Sequence, residues 1–225
     1  MSLEFLQVAS HGLTLDQALA ALIGFARGEA GTLKYYDFCG RHGPAPSDGV
    51  ALEDIGRMML MNPGLYGSEV AAVLDAGSSA PWDLVGHTEQ LQDADPAESG
   101  GLWGGAKSLF DYFDRIDGIG LAKASKLLHI KRPHFYPVLD SFVVAEYGCW
   151  RPDEKPDSCW EAVRKDLIAG ASALAQIRER LDGDDEASPP ARIRRSFAGH
   201  RCLVDPPFRA ARSDPSFCDA VGAWA

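Results

Sequence analysis

Two glycines one residue apart, Gly118 and Gly120, divide a helix-like run at 104–116 from a second at 121–130, and Pro133 ends the second. A turn this tight between helices requires positive φ, which glycine adopts without a Cβ penalty. The segment therefore reads as a helix-hairpin-helix over 104–130. Such a hairpin opens its second helix with unpaired backbone amides and the positive end of the helix dipole, an arrangement suited to a phosphate. Twenty-two residues after Gly118 comes Asp140, in Pro137-Val138-Leu139-Asp140-Ser141. A carboxylate at that remove can stand beside a strand held by the hairpin.

The remaining periodicity is also helical. Leu15, Ala18, Leu19, Leu22, Ile23 and Ala26 recur at helical spacing behind Thr14, a suitable cap. Residues 51–61 and 67–74 read as two helices around Asn62-Pro63-Gly64, 82–92 as another, and 159–181 as one long helix. The aromatic stretch 32–38 fits a strand or a helix start, 40–49 and 93–101 read as loops, and a helix begins near Asp140. Strand signals are sparse and no internal repeat is present. The fold class is mostly α, a single helical domain over 1–186 followed by a distinct tail at 187–225.

Ile116-Asp117-Gly118-Ile119-Gly120-Leu121-Ala122-Lys123-Ala124 resembles the hairpin of the helix-hairpin-helix (endonuclease III-like) DNA glycosylase superfamily. In that superfamily a small residue stands four positions after the second glycine, where Ala124 lies here. The catalytic Asp follows the first glycine by the interval that separates Asp140 from Gly118. The resemblance covers about 33 of the 225 residues. It implies an endonuclease III-like glycosylase core, Asp140 as the catalytic carboxylate and DNA as partner. The Schiff-base Lys of some members is Ala122 here and Lys123 lies about 100° further round the helix, so a monofunctional enzyme is expected. The Pro before the first glycine is replaced by Asp117, and a His common after the Asp by Phe142. Cys149, Cys159, Cys202 and Cys218 are too far apart for the iron–sulfur cluster of other members. Such departures fit a divergent member within a family catalogued only as a domain of unknown function.

Charge constrains the partner. The chain carries −10 overall, which disfavours a protein that coats nucleic acid, because phosphate neutralisation drives non-specific affinity. Between Gly118 and Leu139, however, Lys123, Lys126, Lys131 and Arg132 face no acidic residue in the sequence, and Lys123, Lys126 and His129 follow one helical stripe. That stripe reads as a local basic face, or as an ordinary solvated helix face. The tail at 187–225 carries six Arg against three Asp, with five Pro and little periodicity. It reads as a poorly ordered basic segment. No apolar run approaches a membrane span, the start lacks a signal-peptide pattern, and five unevenly spaced cysteines point to a reducing compartment. The expected location is cytoplasmic.

N-glycosidic hydrolysis builds positive charge on the sugar, so a fixed carboxylate stabilises the transition state and can activate the attacking water. Asp140 is the candidate for both roles. The amides around Gly118, Ile119 and Gly120 would hold the distorted backbone, with Lys123, Ser125 and Lys126 as phosphate partners. A flipped base needs a stacking pocket, for which Trp103, Tyr112, Phe135, Tyr136 and Phe142 are candidates. The same residues could be purely structural. Asp140 is placed to cap a helix, the glycines to make an ordinary turn, and the aromatics to fill a core. A non-catalytic DNA-binding module and a plain αα-corner are the alternatives. No cofactor is called for, and the histidines form no metal-ligand pattern.

Overall fold

The computed structural model describes residues 5–28, 35–36, 48–61, 64–98, 100–149 and 156–183. The tail at 187–225 and nearly all of the loop at 40–49 lie outside them, as do Asp37 and the Asn62-Pro63 pair. The described residues are mostly helical, with eight α-helices and one two-stranded sheet. The chain divides into two compact units, Lys34–Asp140 and a second drawn from Met1–Leu33 with Ser141–Ala225. The central segment is thus inserted between the two stretches that form the other unit.

In the discontinuous unit, β1 (Phe5–Val8) and β2 (His11–Thr14) pair antiparallel, with Leu6 opposite Leu13. Leu6, Val8 and Leu13 are buried and Phe5 is exposed, the alternation of a half-buried strand. This hairpin escaped the sequence reading because its turn lacks the usual glycine or asparagine. Ala9 adopts φ 50°, and its N–H is held by Asp166 Oδ2 at 2.7 Å. Thr14 then starts α1 (Leu15–Gly28) as expected. Its hydroxyl accepts from the Gln17 N–H while Gln17 Oε1 accepts from the Thr14 N–H. After α6 (Ser141–Glu146) come α7 (Asp157–Ala169) and α8 (Ala171–Gly183). The single long helix expected over 159–181 is broken at Gly170. A Cβ there would lie 2.7 Å from Leu6 Cδ1 and 3.0 Å from the Asp166 carbonyl oxygen, so the break falls where only glycine fits.

The central unit begins with α2 (Leu52–Leu60) and α3 (Gly67–Gly77), close to the expected helices. The helix expected at 82–92 is absent. Short 3₁₀ turns at Trp82–Leu84 and Leu91–Asp93 stand there instead. The carbonyls of Trp82 and Val85, which a helix would use internally, accept from the Arg132 guanidinium, and the Leu91 N–H is taken by the His134 carbonyl. A long-range cation thus adds to the local Val85 N–H bond at the Trp82 carbonyl and takes up the Val85 carbonyl. Next come α4 (Leu102–Asp114) and α5 (Gly120–Lys131), which pack on each other, while α5 also packs on α2. After a turn in which the N–H groups of Phe135 and Tyr136 bond back to the Arg132 carbonyl, the chain finishes the unit as an irregular segment, with every residue from Phe135 to Leu139 buried.

Candidate functional site

Gly118 and Gly120 have φ of 79° and 56°, and the turn they make links α4 to α5 as the spacing predicted. Both glycines are exposed, whereas Ile119 between them is buried and anchors the turn in the core. The Ile119 N–H closes on the Ile116 carbonyl at 2.9 Å. Gly118 is required twice over, by its φ and because a Cβ there would collide with the Glu69 carboxylate.

The basic face expected along α5 is not a face. Lys126 is 7 % exposed and His129 1 %, and Ala124 to Lys131 are all buried. Each cation secures a helix end or a turn. Asp54 and Glu69 stand in the first turns of α2 and α3 and accept the N–H groups of Ala51 and Tyr66, at 3.0 Å each. Lys131 Nζ then reaches Asp54 Oδ2 at 2.9 Å, and Lys123 Nζ reaches Glu69 Oε2 at 2.8 Å. Lys123 Nζ also donates to the Gly118 carbonyl at 2.8 Å, and Lys126 Nζ to the Met61 carbonyl beyond the end of α2 at 2.6 Å. A cation there complements the negative end of the helix dipole. The Lys123 ammonium and the Tyr66 N–H hold the Glu69 carboxyl below its usual range.

Arg132 follows the same logic at greater depth. Only 1 % exposed, its guanidinium donates to Asp48 Oδ1 at 2.7 Å, to Val85 O at 2.6 Å and to Trp82 O at 3.2 Å, and lies over the Trp82 ring. It also donates to His87 Nδ1 at 3.0 Å, which makes that nitrogen the acceptor and points Nε2–H towards Asp48. Burial and the neighbouring Arg132 charge lower the His87 pKa.

Asp140 is half-buried, directly after the buried segment and directly before α6. Ser125, expected as a phosphate partner, instead lies at 0 % exposure inside the unit, where its Oγ accepts the Leu139 N–H at 3.0 Å. One turn on, His129 Nδ1 lies 2.8 Å from the Tyr136 carbonyl oxygen and donates to it. Burial pulls the imidazole pKa down to about 4 and keeps the ring neutral. The Tyr136 hydroxyl crosses to α4, donating to the Ala106 carbonyl at 2.8 Å. The two helices of the glycine turn therefore grip the segment that ends at Asp140.

The pocket aromatics separate. Trp103, Phe135 and Tyr136 are core residues, with Phe135 and Tyr136 at 0 % exposure, so none of the three offers a ring face to a base. Tyr112 is half-buried, its hydroxyl donating to the Ala76 carbonyl at 3.1 Å and lying 3.0 Å from Ser79 Oγ. Phe142 alone of the five is exposed, at 69 %. Asp54, Glu69, His129 and Arg132 escaped the sequence reading as structural residues. An acidic residue in the first turn of α2 and of α3 was the available signal, and it pairs only with knowledge of where α5 lies.

Among the described residues, no group of three or more His, Cys, Asp and Glu is arranged to hold a metal ion, and no helix is long and apolar enough to cross a membrane. A mostly helical chain with a buried polar grip on the segment leading to Asp140 is the class these observations define. The chain belongs to the family of unknown function DUF6308, whose model matches residues 23–194. No curated protein and no solved structure matches it.

Proposed function

We propose that the protein is a monofunctional DNA glycosylase-like hydrolase, acting on the N-glycosidic bond of a damaged or modified base with Asp140 as its carboxylate. The observation that carries this reading is the grip on the segment leading to Asp140. Ser125 and His129 of α5 and Ala106 of α4 bind its backbone or its Tyr136 hydroxyl, so a half-exposed carboxylate is held in fixed register with an exposed glycine turn. Electrostatic stabilisation of a sugar cation requires that kind of preorganisation. DNA would be held mainly through the exposed backbone of Gly118 and Gly120, because the Ile119 N–H is taken by the Ile116 carbonyl and the ammonium groups of Lys123 and Lys126 are engaged within the protein.

One observation favours a different reading. Glu69 packs against Gly118 and takes up the Lys123 charge, which places a carboxylate where the reading above would bring a phosphate. On that account the turn is a structural corner.

Mass spectrometry of bases released from damaged, and separately from naturally hypermodified, DNA decides between them. Release by the wild-type protein and not by Asp140→Asn is expected. Equal release by both would sink the mechanism. Salt-sensitive binding without release would indicate a binding module, and no binding at low salt the structural corner.

A further inference from the structure

We infer that Ser125 is a positioning residue for Asp140 and not a ligand contact, an inference that rests on the reading of Asp140 as the reacting carboxylate. Ser125 lies in the second turn of α5 with no exposed surface. Its hydroxyl accepts the Leu139 N–H at 3.0 Å and donates to the Ala122 carbonyl at 3.1 Å, with the Leu139 carbonyl oxygen at 3.4 Å. The N–H of the residue before Asp140 is thus held by one side-chain oxygen, whose single proton is directed to the Ala122 carbonyl.

The position is chemically demanding. Leu139 lies in a segment that pairs with no strand among the described residues, so its N–H has no sheet partner to fall back on. Alanine at 125 would leave that amide buried and unbonded, one residue before the carboxylate. His129, one turn along the same face, holds the Tyr136 carbonyl three residues upstream. The two contacts fix the direction of the segment as well as its depth. A displacement of about 1 Å at a reacting group is enough to lower a rate about 100-fold.

Three proteins test this, the wild type, Ser125→Ala and Ser125→Thr, with Asp140→Asn as reference. Amide hydrogen exchange at Leu139 and the carboxyl carbon chemical shift of Asp140 are read in each, and kcat and KM for base release from alkylated and deaminated duplex DNA. Ser125→Ala is expected to speed Leu139 exchange, move the Asp140 signal and lower kcat by roughly 10- to 100-fold with KM unchanged. Ser125→Thr, which keeps the hydroxyl, is expected to restore all three. Wild-type exchange and an unmoved Asp140 signal in Ser125→Ala would overturn the inference. So would unchanged kcat in Ser125→Ala alongside inactive Asp140→Asn. Base release insensitive to Asp140→Asn, with Leu139 exchange still accelerated, would remove the proposed function while leaving the anchor in place. Should Ser125→Ala fail to fold, the wild type decides, since a Leu139 amide exchanging as fast as an exposed loop amide excludes the anchor.

Discussion

The two helices joined by the glycine turn are buried by different means. α4 buries Trp103, Ala106, Leu109, Phe110 and Phe113, an apolar stripe at helical spacing with polar residues on the other side. α5 buries every residue from Ala124 to Lys131, and half of these are Ser125, Lys126, His129 and Lys131. α4 needs one core face, whereas α5 is enclosed by α2, α4 and the segment leading to Asp140. An enclosed helix can keep polar side chains only if each finds a partner. Here the partners are the ends of other helices and the backbone of the segment leading to Asp140.

That contrast can be tested by perturbing each kind of burial. The largest effect is expected just past α5, at Arg132→Met. The buried Val85 carbonyl would lose the guanidinium as donor, at about 1–3 kcal/mol, while the Trp82 carbonyl would keep only the Val85 N–H and Asp48 would lose its cation. A total loss of about 3–5 kcal/mol in urea unfolding is expected, and a loss under about 1 kcal/mol would show that the guanidinium is dispensable.

Leu109→Ala is the matched probe of α4. A loss of about 2–5 kcal/mol is expected from lost transfer energy and the cavity left behind. That loss should be the same at pH 7 and pH 5, because no titrating group is involved.

A pH response is expected from α5, beside that of His87. The His129 imidazole has a folded pKa of about 4 against an ordinary value of 6.5, so between those values the unfolded chain binds more protons. Its contribution is therefore intact above about pH 6.5 and is lost as pH falls towards 4, by roughly 3 kcal/mol in all. Denaturation midpoints measured across this range should fall in the wild type. In His129→Gln they should fall less steeply. Parallel curves would mean that His129 is not the group responsible.

The smallest effect is expected at Lys126→Met, which keeps the packed stem and loses the bond to the Met61 carbonyl. Met61 is half-buried, so water can replace the ammonium, and a cost of about 1 kcal/mol is expected. A cost near that of Arg132→Met would erase the distinction between a cation at a helix end and one in the interior.

Helix periodicity was legible wherever one face is apolar. α1, α2, α3 and α4 fell close to their expected places, Thr14 caps α1, and Gly118 and Gly120 turn the chain with positive φ. The failures share one cause. Residues 82–92 lost their helix to Arg132, the run at 159–181 broke where Leu6 meets Gly170, and the β-hairpin was hidden by an alanine at its turn. In each case the deciding partner is remote in sequence, dozens of residues away for the first two and Asp166 for the third.

Within the candidate site the same division holds. The sequence by itself determined that a tight glycine turn joins two helices, and that Asp140 follows it at a fixed interval just before another helix. It also determined that positive charge concentrates between Gly118 and Leu139. Only the tertiary structure decided what that charge does. Lys123, Lys126, Lys131 and Arg132 look unopposed along the chain, because Glu69, Met61, Asp54 and Asp48 lie 54 to 84 residues away. Local spacing places side chains on a helix face, whereas burial and pairing depend on which distant backbone and carboxylate groups the fold brings to that face. A buried charge needs its partner within a few ångströms, and no sequence period encodes that distance.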